Sequence, residues 1–141
     1  MKNVFVLSKK NIALLGMGTV GRAVYEEIKS NVSSVLVKDI TKKRNIHFSE
    51  KIITNDFEEI IQDKNIDIVI ELIGGETPAY NYIKRSIKSN KNVITANKEV
   101  MGKYGEELLD LAEKNNVFLL YEASVAGGIP IISPLVSDLS A

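Results

Sequence analysis

The stretch Asn11-Ile12-Ala13-Leu14-Leu15-Gly16-Met17-Gly18-Thr19-Val20-Gly21 decides the fold. A short apolar run enters G-x-G-x-x-G and leaves into a segment of helical periodicity, a context that lifts the motif above a chance match. Each glycine has a separate job. Gly16 permits a tight turn, Gly18 lets backbone approach a pyrophosphate with no Cβ in the way, and Gly21 allows the helix to pack closely on the strand. The helix start adds free N–H groups and the positive end of a dipole, both suited to phosphate. The alternative, glycines serving only the turn, leaves the spacing unexplained, so the motif predicts dinucleotide binding.

Outward from this stretch, short runs rich in Val, Ile and Leu recur at residues 11–15, 34–37, 52–54, 67–72, 92–95 and 117–121. Between them, residues 19–30, 56–62, 78–89 and 99–115 have helical spacing, with Thr77 placed to cap the third helix and Pro78 in its first turn. Strand and helix alternate. Continuously apolar strands joined by right-handed helical crossovers imply a doubly wound, mainly parallel α/β sheet of the Rossmann type, covered on both faces. No repeat, low-complexity tract or linker divides residues 1–141, which are expected to form one dinucleotide-binding domain. The polar stretch 38–51 is the one long loop expected, and residues 130–140 begin what reads as another helix.

The 141 residues carry 18 basic and 18 acidic side chains, are 45% hydrophobic and contain no cysteine. A net charge of zero without a basic stripe argues against nucleic acid or an acidic membrane surface as a partner. No run approaches the roughly 20 apolar residues of a membrane span, and the opening Met1-Lys2-Asn3-Val4-Phe5-Val6-Leu7-Ser8-Lys9-Lys10 does not read as a secretory signal. A cytoplasmic location is expected. Without cysteine there is no disulfide, thiolate metal site or cysteine nucleophile, so chemistry falls to lysine, carboxylates, backbone groups or a cofactor.

Four further positions could carry that chemistry. At the end of the second strand an acidic group serves the ribose of NAD and a basic one the 2′-phosphate of NADP. Here the signals conflict: Asp39 suits the ribose, while Lys38, Lys42, Lys43 and Arg44 suit a phosphate or simply coat a solvated loop. Lys38 tips the reading toward NADP. Glu71-Leu72-Ile73-Gly74-Gly75 closes the fourth strand, where the paired glycines either let backbone pass close to a ribose or nicotinamide or form a plain turn. Thr95-Ala96-Asn97-Lys98-Glu99 puts a lysine at the carboxyl edge of the sheet. Lys98 is either a solvated charge or, in a partly dry cleft, a proton donor to a carbonyl oxygen as hydride reaches the carbon.

The fourth position is the bend Glu122-Ala123-Ser124-Val125-Ala126-Gly127-Gly128-Ile129-Pro130. One carboxylate with several inward carbonyls suits a hard cation of low charge better than zinc, and a Glu122 paired with backbone N–H groups fits equally well. His47 has no partner at metal-ligand spacing, and with one histidine no Ser-His-Asp grouping is possible. Tyr104 and residues 108–111 read as core or near-core packing.

Taken in order, G-M-G-T-V-G, E-L-I-G-G, T-A-N-K-E and Y-E-A-S-V-A-G-G-I-P-I-I resemble the amino-terminal half of homoserine dehydrogenase over nearly the whole chain. The resemblance implies reversible reduction of L-aspartate 4-semialdehyde to L-homoserine with NADPH or NADH, in threonine, methionine and isoleucine biosynthesis. It implies that Gly16, Gly18, Thr19, Val20 and Gly21 hold the dinucleotide, that Lys38 meets the adenosine ribose or its phosphate, and that Gly74 and Thr95 flank the nicotinamide. It makes Lys98 an active-site lysine beside the cofactor, and Glu122, Val125, Gly127 and Ile129 a monovalent cation site for sodium.

The family's substrate-binding and dimerising domain, with a second catalytic lysine, is expected beyond Ala141. The fragment is therefore expected to bind NADP(H) weakly and to be inactive, the full-length protein to be a homodimer or larger, and residues 130–139 to expose an apolar face. Two other readings remain at this stage: another two-domain NAD(P)-dependent oxidoreductase acting on a semialdehyde or amino acid, and a non-catalytic nucleotide-sensing module.

Overall fold

The structure is a computed structural model, and it describes residues 10–47 and 49–121. Six strands, β1 (Ile12–Leu15), β2 (Val32–Leu36), β3 (Ile53–Thr54), β4 (Ile68–Glu71), β5 (Asn92–Thr95) and β6 (Leu119–Tyr121), form one sheet in the order β3-β2-β1-β4-β5-β6. Every pairing is parallel. Four helices connect them: α1 (Thr19–Ile28), α2 (Phe57–Gln62), α3 (Ala79–Lys88) and α4 (Lys98–Lys114). The doubly wound, parallel α/β expectation holds.

The central strands β1, β4 and β5 are buried on both sides, and period-two alternation sorts their side chains between two cores. Ile12, Leu14, Val35, Ile70 and Ile94 pack with Val24, Tyr25 and Ile28 of α1. Ala13, Leu15, Val69 and Val93 pack on the other face with Phe57 and Ile60 of α2, Ile83 and Ile87 of α3, and Val100 and Leu108 of α4. Each fully buried Leu or Ile contributes about 1.5–3 kcal/mol relative to exposure, so the sheet is anchored from both faces.

Local sequence explains where the helices start and stop. Asp56 caps α2 by accepting from the Glu58 N–H at 2.9 Å, and Glu58 and Glu59 follow at the positive end of the dipole. Asn97 caps α4 by accepting from the Val100 N–H at 3.0 Å. Asn90 and Asn116, with φ of 60° and 54°, turn the chain out of α3 and α4 toward β5 and β6 in the left-handed conformation that asparagine tolerates. Thr77 does not cap α3. Pro78 stands at that position without a side-chain bond, and the first turn is closed instead by the Tyr80 N–H donating to the Glu76 carbonyl at 2.9 Å. The expected long loop is present from Val37 to Ser49 in the described residues, followed by a short 3-10 turn, Glu50–Ile52. No described helix is long and apolar enough to cross a membrane.

Strand order reverses between β1 and β4, which leave the sheet in opposite lateral directions. In open parallel sheets ligands bind in the crevice outside the carboxyl ends at this reversal. Gly16 follows β1 there, and Leu72 follows β4.

Candidate functional site

A cleft of about 880 Å³ opens at that reversal, lined on one side by Gly16, Met17, Gly18 and Thr19 and on the other by Leu72 and Ile73. The glycine turn is tight. Gly16 has φ +104°, and its N–H donates to the Leu36 carbonyl at 2.9 Å, tying the turn to β2. A Cβ on Gly21 would stand 2.4 Å from the Gly16 carbonyl oxygen, closer than real Cβ atoms come, so α1 can leave the turn at this angle only with glycine there. A Cβ on Gly18 would meet nothing within 4 Å. That open space faces the cleft, as expected of a cradle that must admit a ligand close to the main chain.

Gly18 is also the cap residue of α1, without a side-chain cap bond and without an acid in the first turn. The first amides of the helix therefore keep their donors for an anion. Thr19 and Val20 start the helix beside them, the first exposed and the second half-buried against the core under α1. The residues present thus fit a dinucleotide pyrophosphate.

Five cations, Arg22, Lys38, Lys42, Lys43 and Arg44, line the rest of the wall beside neutral residues such as Asn45, Asn55 and Tyr82, and among the described residues no carboxylate does. Asp39, the residue that would serve a ribose hydroxyl, is not in the lining. Its Oδ1 accepts from the Thr41 N–H at 2.8 Å and from the Thr41 hydroxyl at 2.6 Å, and that hydroxyl above all holds the carboxyl below its ordinary pKa. Arg44 braces the same loop, donating from Nη1 to the Lys42 carbonyl at 2.9 Å and from Nη2 to the Asp39 carbonyl at 2.8 Å. The loop after β2 is thereby folded so that its acid is occupied internally and Lys38, Lys42 and Lys43 remain toward the cleft. Arg22, the fourth residue of α1, was not singled out in the sequence; its spacing from Gly18, one turn into the helix, was the available clue.

Beyond the cleft, β4 and β5 end in a ring of hydrogen bonds. Glu71 is fully buried, and its Oε1 accepts from the N–H groups of Ile73 at 2.8 Å and Gly74 at 3.2 Å. Its Oε2 accepts from the Thr95 hydroxyl at 2.6 Å, which in turn accepts from the Asn97 N–H at 3.0 Å. Asn97 Nδ2 returns to the Gly75 carbonyl at 2.6 Å. Gly74 is exposed in this loop, whereas the Thr95 side chain is fully buried and spends its hydroxyl within the ring.

Lys98 is the first residue of α4, immediately after Asn97, and is exposed. It is not among the residues that line the cleft; it lines a separate, smaller groove of about 510 Å³ with Met101, Gly102, Gly105, Glu106 and Tyr121. A lysine gains nothing from the positive end of a helix dipole, so helix energetics do not account for its placement. A second contact pins the same region: Glu76 accepts from the Tyr104 hydroxyl and from Lys103 Nζ at 3.0 Å, and Tyr80 stacks on Tyr104 with centroids 4.0 Å apart. Tyr104 is thus near-core packing with a polar tip on the loop before α3. Tyr104 foremost, then Lys103, hold the Glu76 carboxyl below its ordinary pKa.

Glu122, Val125, Gly127 and Ile129, the expected cation ligands, and the apolar segment 130–139 lie outside the described residues. Among the described residues no group of three or more His, Cys, Asp or Glu could hold a metal. His47 is exposed in the loop after β2.

The strand order, the glycine turn and the cleft at the reversal define a nicotinamide-dinucleotide-binding domain of the oxidoreductase kind. A family model described as homoserine dehydrogenase, NAD binding domain, matches residues 16–122, and the chain belongs to that family. It is 39% identical over 142 residues to the homoserine dehydrogenase of Bacillus subtilis and 43% identical over 145 residues to that of Lactococcus lactis, with 92% of this chain covered in each case. Those alignments cover 33% and 34% of the relatives, so the chain spans about a third of the length of the curated relatives it matches. Among solved structures, a crystal structure of S. aureus homoserine dehydrogenase superposes with a TM-score of 0.75 at 39% identity, over 82% of this chain and 32% of that one. The homoserine dehydrogenase of Thiobacillus denitrificans gives 0.72 at 34% identity, over 89% and 32%.

Proposed function

We propose that this chain is the dinucleotide-binding part of an enzyme that interconverts L-aspartate 4-semialdehyde and L-homoserine, with NADP(H) as the favoured coenzyme and NAD(H) as the lesser one. The observation that carries the coenzyme reading is the cleft wall, with five cations and no carboxylate among the described residues, and Asp39 turned into its own loop. A 2′-phosphate finds its charge complement there, with Lys38 at the end of β2 as the principal contact.

When bound, the nicotinamide supplies or accepts the hydride. Gly16, Gly18, Thr19, Val20 and Gly21 then hold the pyrophosphate, the first amides of α1 donate to its oxygens, and the Gly74 loop and the end of β5 at Thr95 border the nicotinamide side. Lys98, at the start of α4, presents its ammonium to the substrate carbonyl oxygen and holds the proton that this oxygen takes as the alkoxide forms. Glu122 and the main-chain carbonyls of Val125, Gly127 and Ile129 make a donor set of one carboxylate and neutral oxygens, which suits sodium. The region corresponding to the other two thirds of the relatives supplies substrate contacts and the homodimer interface. The enzyme works in the cytoplasm, in threonine, methionine and isoleucine biosynthesis.

In a chain of family length carrying this domain, Lys98→Ala is expected to lower kcat for homoserine oxidation by about 10²- to 10⁴-fold, the usual contribution of a positioned proton donor or acceptor. The dinucleotide Kd is expected to stay within about threefold, since the pyrophosphate cradle is untouched. Near-normal turnover in that variant removes Lys98 from the chemistry. This chain by itself is expected to bind the dinucleotide without turning over.

A further inference from the structure

Glu71 is a fully buried carboxylate that neither the cleft lining nor the proposed chemistry uses. Desolvating a carboxylate is costly unless its oxygens are hydrogen-bonded. What a carboxylate adds is two oxygens that accept in fixed directions. Here Oε1 fixes the Ile73 and Gly74 amides and Oε2 fixes Thr95, whose hydroxyl holds the Asn97 amide. Ile73 is cleft wall, and Asn97 is the cap from which α4 starts with Lys98. One side chain therefore sets both the loop after β4 and the start of the helix that presents the lysine, and Asn97 Nδ2 closes the ring on the Gly75 carbonyl.

We propose that Glu71 is a positioning residue for hydride transfer: its carboxylate locks the Ile73–Gly74 loop to the start of α4, so that the nicotinamide side of the cleft and Lys98 keep a fixed separation. The proposal rests on the function given above. The ring has a proton polarity that makes it testable. Thr95 has a single hydroxyl proton, spent on Glu71, and its oxygen accepts from Asn97. An amide in place of the carboxylate has one acceptor oxygen for two sets of donors. Whichever way it turns, one contact loses an acceptor, although size and shape are kept.

In this chain Glu71→Gln is expected to raise amide hydrogen exchange at least tenfold at Ile73 and Gly74, or at Asn97 where the amide oxygen stays with that pair, with exchange of Val24 in α1 and Leu108 in α4 within about twofold of wild type. Thr95→Val, which removes the hydroxyl, is expected to do the same to the Asn97 amide, and Thr95→Ser to restore its protection. In a chain of family length Glu71→Gln is expected to lower kcat at least tenfold while the NADPH KM changes less than threefold. Unchanged exchange at all three of Ile73, Gly74 and Asn97 overturns the proposal. So does a general loss of protection, with kcat and KM moving together, because that is the mark of a merely structural carboxylate. Should Glu71→Gln fail to fold, Thr95→Val carries the same kinetic expectation and the same contrary outcomes. A wild-type chain of family length without homoserine dehydrogenase activity overturns the proposed function instead, and the exchange result then decides whether Glu71 locks the loop.

Discussion

At Gly21 one added carbon is enough to separate folding from binding. A methyl there meets the Gly16 carbonyl at 2.4 Å, backbone against backbone, and the turn or the helix must move to relieve it. Overpacking of this kind costs about 1–3 kcal/mol. Gly21→Ala is therefore expected to lower Tm by about 5–10 °C for a domain of this size, and to weaken NADPH binding as the cradle distorts. Gly18→Ala is the contrast, because its methyl points into empty space. It is expected to leave Tm within about 1–2 °C and to weaken NADPH at least tenfold by filling the space the pyrophosphate needs. Thermal unfolding and calorimetric titration of the two variants side by side check this. Equal losses of stability in both would mean that the glycines serve the turn alone. The motif already assigned the two glycines separate jobs, and the geometry names the atom that Gly21 must avoid, the Gly16 carbonyl oxygen.

At the scale of elements, α3 and the loop before it are joined to the middle of α4 by ionisable groups whose pH dependence is predictable in sign. The Tyr104 hydroxyl first and Lys103 second hold the Glu76 carboxyl below its ordinary pKa, and Lys84 and Tyr80 do the same for Glu107. A carboxyl whose pKa is lowered on folding binds fewer protons in the native state than in the unfolded one. It contributes stability above its unfolded pKa, near about 4.3, and that contribution is lost as pH falls through the lower folded value. Glu76→Gln cannot ionise. Its Tm is expected to lie below wild type at pH 7 and to converge on it as pH is taken from about 5 to 3; a difference constant over that range would mean that Glu76 holds the loop without its charge. The alternation of strands and helices was legible because the central strands β1 and β4 are apolar runs and the helices keep their period. The Glu76 clamp and the Glu71 ring were not, because their partners are a tyrosine tip 28 residues away and backbone amides that face the carboxylate only once the loop closes. Even so, a lone acid ending the buried strand Ile68–Glu71 before two glycines was a visible anomaly. The Thr77 cap failed for a related reason, since the Glu76 carbonyl already takes the amide that a capping side chain would meet.

For the molecule as a whole, charge is balanced at 18 basic against 18 acidic residues, so attraction for a polyanion must be local to the cleft. The five cations that line it sit on α1 and on the loop after β2, brought together by the strand-order reversal. Lys38, Lys42 and Lys43 are exposed, so their attraction is screened by salt, with a Debye length of about 10 Å at 0.1 M and about 3 Å at 1 M. NADPH and NADH share the pyrophosphate and differ by the 2′-phosphate. The ratio of their affinities therefore isolates the contribution of the basic wall from that of the glycine turn. A charge-assisted contact of about 1.5–3 kcal/mol corresponds to a ratio of roughly 10 to 150 in favour of NADPH at low salt. Lys38→Ala is expected to lower the ratio at least fivefold through weaker NADPH binding, with NADH unchanged. Raising salt from about 0.05 to 0.5 M is expected to shrink the wild-type ratio further than the variant's, since the variant has less screened attraction to lose. Tyrosine fluorescence or calorimetry with both coenzymes at both salts reads all of this. A ratio near one at low salt means that the basic loop is solvated charge and that the domain takes NAD(H). A high ratio indifferent to salt and to Lys38 moves the phosphate contact to the half-buried Arg22 on α1, and Arg22→Ala then becomes the variant that must abolish it.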